Sequence, residues 1–373
     1  MKLSRLHPFV VALCFGAAFS GPAAAQIRIG QTAGFSGAVA AGVKETHAGA
    51  KLYLDAINAT GGVNGAQIEL VSLDDKFDPK LAAENARKLA ADPKVLSLFL
   101  TRGTPHNQAI LPILAEAGIP LVAPSTGAMV LHNPVNPWLF NVRATYQREA
   151  EHAVRHLATI GINRIAVIHV DDSFGADCVE GANRGFKAAS IRPQTVLKFD
   201  RAKPDFSVVV PKVAEASPQA VLFFGSGSAV ADGLTALRAA GSRAQLITLS
   251  NNASTGFIKS LKEHAVGTIV TQVFPPERSM SAPIVKQAHD LAMAKGLSEV
   301  TPAMLEGFAG AKVLVEGLRR AGAKPTRDKL RLAIESMRKF DIGGLEVGFS
   351  PTDHTGLTYV DLSIIGANGA FRR

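Results

Sequence analysis

His152 and His156 stand four residues apart, with Glu149 and Glu151 beside them. On a helix that spacing sets two imidazoles on one face, where they could hold a metal ion. The glutamate of a His-Glu-x-x-His site is missing, because Ala153 follows His152, and the plainer reading is a solvated helix face. Asp171-Asp172 reads as a ligand contact or as a helix N-cap. Ala123-Pro124-Ser125-Thr126-Gly127 has the outline of a nucleophile elbow, and Asp341 and His354 follow it in chain order. Proline just before the serine suits a sharp elbow poorly. Gly225-Ser226-Gly227 has the outline of a dinucleotide fingerprint, but Val230 replaces the third glycine and Gln245 stands where an acid would hold a ribose. These patterns lead us to expect no metal, no cofactor and no catalytic residue.

Binding chemistry is better supported. Thr101-Arg102-Gly103-Thr104-Pro105, Ala123 to Gly127, and Gly225-Ser226-Gly227-Ser228 each follow a β-rich run. Such loops offer backbone N–H groups, hydroxyls and helix N-termini, which suit a carboxylate or another polar head. Plain N-capping and turn chemistry is the alternative for each loop. Arg102 and Arg143 could add positive charge or serve as structural salt bridges.

Loops of this kind need a scaffold, and the chain alternates β-rich and helical runs. Strands are expected at Ile27 to Gly30, Gln67 to Ser72 and Val95 to Leu100, with helices at His47 to Asn58, Pro79 to Ala90 and Asn107 to Ala117. After the proline- and asparagine-rich Leu131 to Trp138 the alternation restarts. It gives a helix at Arg148 to Ile160, a strand at Arg164 to Val170 and a helix at Gly181 to Ala189. Strands follow at Thr195 to Phe199, Ala220 to Phe224 and Gln245 to Leu249, with a helix at Ala229 to Ala239. Beyond Pro275-Pro276 come three longer helices and a β-rich end, Leu345 to Ile365. Repeated βα units imply an α/β fold with parallel sheets covered on both faces. Ligands of such sheets bind beyond the carboxyl ends of the strands.

Composition narrows the setting. Residues 1–25 read as an export signal: Lys2 and Arg5, an apolar run from Phe9 to Phe19, then Ala23-Ala24-Ala25. Cys14 falls inside it, leaving Cys178 as the one thiol, so the fold must be held by its core. The net charge of +9 falls by the two charges of Lys2 and Arg5 to +7. The basic stretch from Arg319 to Lys339 has no interleaved aromatics and reads as a solvated face, so no nucleic acid is expected.

Several segments together resemble the periplasmic branched-chain amino-acid-binding family of ABC transporter substrate-binding proteins. They are Ile27-Arg28-Ile29-Gly30 with Phe35-Ser36-Gly37, Asp55 to Asn58 with Gly61-Gly62-Val63-Asn64-Gly65, Asp74-Asp75 with Asp78-Pro79, Gly118-Ile119-Pro120, Pro124-Ser125, and Asp172-Ser173-Phe174-Gly175. The resemblance runs over nearly all the chain after residue 25. It implies a type I periplasmic binding fold: two doubly wound parallel-sheet lobes, 26–144 plus 275–357 and 145–274 plus 358–373, joined by three crossing segments. It also implies a monomer in the periplasm that closes on a small solute, a permease and an ATPase as partners, and no catalysis. A sensor domain of the same fold and a periplasmic hydrolase stay as alternatives.

The resemblance places Thr104 where the family holds a ligand carboxylate, Ser125 at a backbone contact beside Thr126, and Phe174 at an aromatic wall. Tyr146 would meet the ligand from the hinge. Gly127 stands where amino-acid binders use threonine, Ser226 at a tyrosine position, and Ser250 at the glutamate that pairs with the ligand ammonium. A buried ammonium without an acid costs several kcal/mol. Glu306, Asp171 or Asp172 are the acids that could replace it.

Overall fold

The computed structural model describes residues Gln26–Arg373; the expected export signal and Cys14 lie outside the described residues. Strand β1 (Gln26–Ala33) pairs in parallel with β2 (Gln67–Asp74) and β3 (Val95–Phe99). With β4 (Leu121–Val122) and β5 (Leu139–Phe140) they form a five-stranded sheet in the order β2-β1-β3-β4-β5. Helices α1 (Ala40–Ala59), α2 (Pro79–Ala91) and α3 (Thr104–Ala117) connect its strands. On one face Ile29, Phe99 and Phe140 pack with Leu52 of α1, and on the other Leu98 and Leu121 pack with Ala86 and Leu114.

Helix α4 (Tyr146–Thr159) opens the second half. Strands β6 (Ile165–Val170), β7 (Thr195–Phe199), β8 (Ala220–Phe224), β9 (Gln245–Thr248) and β10 (Ile269–Gln272) alternate with α5 (Ser173–Ala188), α6 (Val209–Ala216), α7 (Ser228–Ala239) and α8 (Thr255–Ser260). The chain then returns to the first half as α9 (Pro283–Ala294), α10 (Pro302–Ala321) and α11 (Arg327–Glu335), whose Ile284, Phe308, Leu314 and Leu330 join the core around Ile29. A two-stranded ribbon, β11 (Phe340–Asp341) and β12 (Glu346–Val347), precedes a last crossing. Strands β13 (Asp361–Ile365) and β14 (Phe371–Arg372) close the second sheet, in the order β14-β13-β10-β9-β8-β6-β7. Two parallel sheets flanked by helices are thus present, with an antiparallel pair on the edge of the second.

Some elements differ from the sequence expectation. Helix α1 starts at Ala40, about two turns ahead of His47, where Val39 and Val43 pack with Ala33. Helix α5 starts at Ser173, where Asp172 accepts hydrogen bonds from the N–H groups of Phe174 and Gly175. Its glycines lower helix propensity and hid the first two turns, ahead of Gly181. They are there for closeness: a Cβ at Gly181 would sit 2.3 Å from the carbonyl oxygen of Gln147 on α4. Cys178 lies in the same layer, fully buried, and burial raises its thiol well above the usual range. It is a core residue, not a reactive one.

Asp177, on the same helix, accepts hydrogen bonds from Gln147 Nε2 (2.7 Å) and from the N–H of Met129 (3.2 Å). Burial pushes its pKa up to about 6. An unfolded aspartate titrates near 3.9. Between these values the folded chain holds the extra proton, so this group's contribution is full below the lower value and is lost as pH rises through the upper one. Asp177→Asn is therefore expected to stabilise the protein by about 1–3 kcal/mol at pH 7 and by much less at pH 4. Urea unfolding of both proteins at the two pH values checks it. His106 and His132, whose pKa values burial lowers to about 4, tilt both proteins the opposite way and cancel in the difference.

Candidate functional site

The carboxyl ends of the two sheets face each other. Leu100 and Ala123, each one residue past the end of its strand, have φ of +49° and +51°. Such conformations cost a non-glycine residue about 1–3 kcal/mol and concentrate at functional sites. The two turns lie side by side: Arg102 and Ser125 form an isolated parallel bridge, and the N–H of Ser125 donates to the carbonyl of Thr101 (2.8 Å). Next to them the hydroxyls of Thr104 and Thr126 share a hydrogen bond of 2.9 Å.

From this platform Arg102 reaches across. It is 5% exposed. Nη1 donates to Ser125 Oγ (3.0 Å), and Nη2 donates to the carbonyl oxygen of Asn251 (2.6 Å) beyond β9 in the other half. Asn251 in turn donates from Nδ2 to the Gly225 carbonyl (3.0 Å) and to Ser226 Oγ (3.1 Å). Ser125 therefore has an arginine, not a base, on its hydroxyl. Asp341 accepts from the N–H groups of Gly343 and Gly344, and His354 Nδ1 binds the Leu139 carbonyl. No catalytic triad is assembled from these three residues.

A second buried cluster sits at the first crossing. Arg143, 1% exposed, donates from Nη2 to the Glu149 carboxylate and to Ser250 Oγ (2.6 Å). Its guanidinium carbon lies 4.6 Å from the centre of the Tyr146 ring, and Nη1 is 3.7 Å from Glu306 Oε1. Glu149 Oε2 also accepts from the Ser250 N–H (3.0 Å) and from the Thr271 hydroxyl. Burial works against the Arg143 charge, but Glu149, Tyr146 and Glu306 outweigh it and hold the pKa above the ordinary value. Burial, opposed by Arg143 and Arg102, raises the Tyr146 phenol, which stays neutral. Tyr146 meets Phe174 edge to face at 4.9 Å.

Thr104, Ser125, Thr126, Tyr146, Phe174, Ser226, Ser250 and Glu306 all lie in or beside these two clusters. Gly127 contributes no side chain and has no room for one: its Cβ would sit 2.5 Å from the carbonyl oxygen of Ala144, while its own carbonyl accepts from the Tyr146 N–H (2.7 Å). Asp171 and Asp172 are diverted: Asp171 pairs with Lys198 (2.8 Å), and Asp172 caps α5 and pairs with Arg201. Two contributors were not expected. Glu149, read with the histidine pair as helix surface, is fully buried, and Asn251 was not singled out. His152 is half-buried and His156 exposed, and among the described residues no three metal-binding side chains converge.

The halves touch along a wider seam. Glu45 on α1 accepts from the N–H groups of Thr255 (3.1 Å) and Gly256 (2.9 Å) at the start of α8. Phe77 stacks on His106 at 4.4 Å and carries the Arg201 guanidinium at 5.1 Å. The carbonyl of Ala38 accepts from the Ser228 N–H (3.3 Å), and the Ala303 N–H donates to Ala253 (3.1 Å). A cavity of about 110 Å³ lies within this seam, lined in part by Val39, Gly42, Arg102, Ser228, Asn251 and Phe257. The arrangement can enclose a small molecule between two platforms and offers it a buried guanidinium.

Residues 26–369 match a family model described as periplasmic binding protein. A Leu/Ile/Val-binding protein homolog 3 of Brucella melitensis biotype 1 is 27% identical over 333 residues, covering 87% of this chain and 86% of that protein. The Leu/Ile/Val-binding protein of Escherichia coli strain K12 is 26% identical over 293 residues, 77% of each chain. Among solved structures, a substrate-binding periplasmic protein from Ralstonia solanacearum superposes with a TM-score of 0.86 at 31% identity, covering 93% of this chain and 99% of that one.

Proposed function

The chain belongs to the periplasmic binding protein family, and from that premise we propose that it captures a small carboxylate-bearing solute, an amino acid or another organic acid, and delivers it to an ABC importer. The observation that carries this reading is the bridge made by Arg102, which joins Ser125 of one half to Asn251 of the other. A residue bonded to both platforms couples the contents of the seam to its closure. The Leu/Ile/Val-binding names of the relatives support an amino-acid-sized solute.

In this reading the protein works in the periplasm as a monomer, opening and closing about its three crossings. Its partners are a membrane permease and an ATPase, and it turns nothing over. The lobes are 26–144 with 275–357, and 145–274 with 358–373.

The test is direct. Protein purified without denaturation is unfolded, and any released solute is identified by mass spectrometry. The solute is then titrated back while small-angle scattering follows the radius of gyration. A bound small acid or amino acid that shrinks the particle supports capture. A solute recovered chemically changed after incubation would overturn it.

A further inference from the structure

We propose that the solute is an organic acid without an ammonium group, and that Arg102 selects it by pairing with its carboxylate. This rests on the capture reading above and names its ligand class.

Three observations converge. First, Arg102 is buried, has no carboxylate within salt-bridge distance among the described residues, and is the charged residue lining the cavity of about 110 Å³. An unpaired buried charge is costly, and an anion beside it removes that cost. Its two hydrogen bonds, to Ser125 and Asn251, leave further N–H groups of the guanidinium for a carboxylate.

Second, the acids that could meet an ammonium are already used. Glu149 does supply a carboxylate to Ser250, through its N–H at 3.0 Å, but the same carboxylate neutralises Arg143. Glu306 faces Arg143 as well, at 3.7 Å. Asp171 and Asp172 pair with Lys198 and Arg201. Glu45, beside the cavity and without a cationic partner among the described residues, has its carboxylate taken up by the N–H groups of Thr255 and Gly256. An incoming ammonium would find Arg102 unpaired and each of these acids already bonded. Charge balance therefore favours a net anion over a zwitterion.

Third, the cavity suits a compact hydrocarbon body. Its lining joins Val39, Ala41 and Phe257 to the hydroxyl of Ser228. A cavity of about 150 Å³ holds benzene, so this one, at about 110 Å³, suits a body of about four non-hydrogen atoms.

Isosteric probes test the charge argument. 2-Methylpropanoate and alanine differ by a methyl in place of the ammonium, and 2-methylpropanamide removes the carboxylate charge. 2,3-Dimethylbutanoate and valine repeat the comparison with a larger body. Calorimetric titration of the purified, solute-free protein is expected to show each acid binding at least about tenfold tighter than its amino-acid isostere, and the amide not binding. Arg102→Gln and Arg102→Met are expected to lose the acids while melting at the parent temperature or above it. Tighter binding of alanine or valine than of the matching acid would overturn the proposal and leave capture standing. Undiminished acid binding by both Arg102 variants would also overturn it. If neither acids nor amino acids bind and no solute is recovered from the purified protein, capture falls too.

Discussion

Glu149→Ala is expected to destabilise the protein by about 3–5 kcal/mol, because removing one partner of a buried ion pair leaves the other charge uncompensated. Arg143 is 1% exposed, and with Glu149 gone its nearest remaining carboxylate is Glu306 at 3.7 Å. The Ser250 N–H also loses its bond to Glu149, though it keeps Thr271 Oγ1 at 2.8 Å. Urea unfolding measures the loss. The pair itself need not be stabilising, since a buried pair can be replaced by apolar residues at little net cost. Arg143→Met with Glu149→Leu and Glu306→Gln, which removes the other carboxylate that Arg143 faces, is therefore expected to recover most of the loss. A single variant within about 1 kcal/mol of the parent would show that water reaches Arg143 and that the cluster is not dry.

Glu149 also marks where sequence reading reached its limit. Periodicity assigned α4 correctly as an amphipathic helix. It could not say that the first turn of that helix enters the seam while Glu151, His152 and His156 stay outside the core. Burial there is decided by the second sheet, through Ser250 and Thr271, more than a hundred residues away in the chain. The three hydroxyl- and glycine-rich loops were readable because strand exits carry a local signature. The pairing of Arg102 with Ser125 and Asn251 was not, because it depends on how two sheet ends meet. Strand β10 was missed for a related reason: only four residues long, it is defined by its ladders to β9 and β13 rather than by its own pattern. Gly127 was read from resemblance as a lost ligand group, whereas packing against Ala144 and Tyr146 accounts for it.

Gly227→Val is expected to weaken solute binding by at least about 100-fold, or about 2.7 kcal/mol, while leaving the protein folded. Gly227 has φ of +54° and ψ of −125°, a conformation that suits glycine. Its Cβ would lie 1.8 Å from the carbonyl oxygen of Ala38, on the other side of the seam. Any side chain there wedges the start of α7 away from the start of α1. The clash exists only when the halves meet, so it raises the closed form and spares each half by itself. Affinity then falls by the factor by which the closed population falls. Backbone strain alone would also cost about 1 kcal/mol, and a second variant separates the two effects. Gly241 also has a positive φ, +81°, with nothing within 4 Å of its Cβ position, so Gly241→Val puts the same side chain at a positive φ and makes no wedge. Titration of the solute recovered from the purified protein, with scattering to follow closure, should find Gly241→Val binding and compacting like the parent. The Gly227 variant should keep the larger radius at every solute concentration. Equal affinity in the two variants would mean that the Ala38–Gly227 contact takes no part in closure, and the seam would have to be held by Glu45 and Arg102 instead.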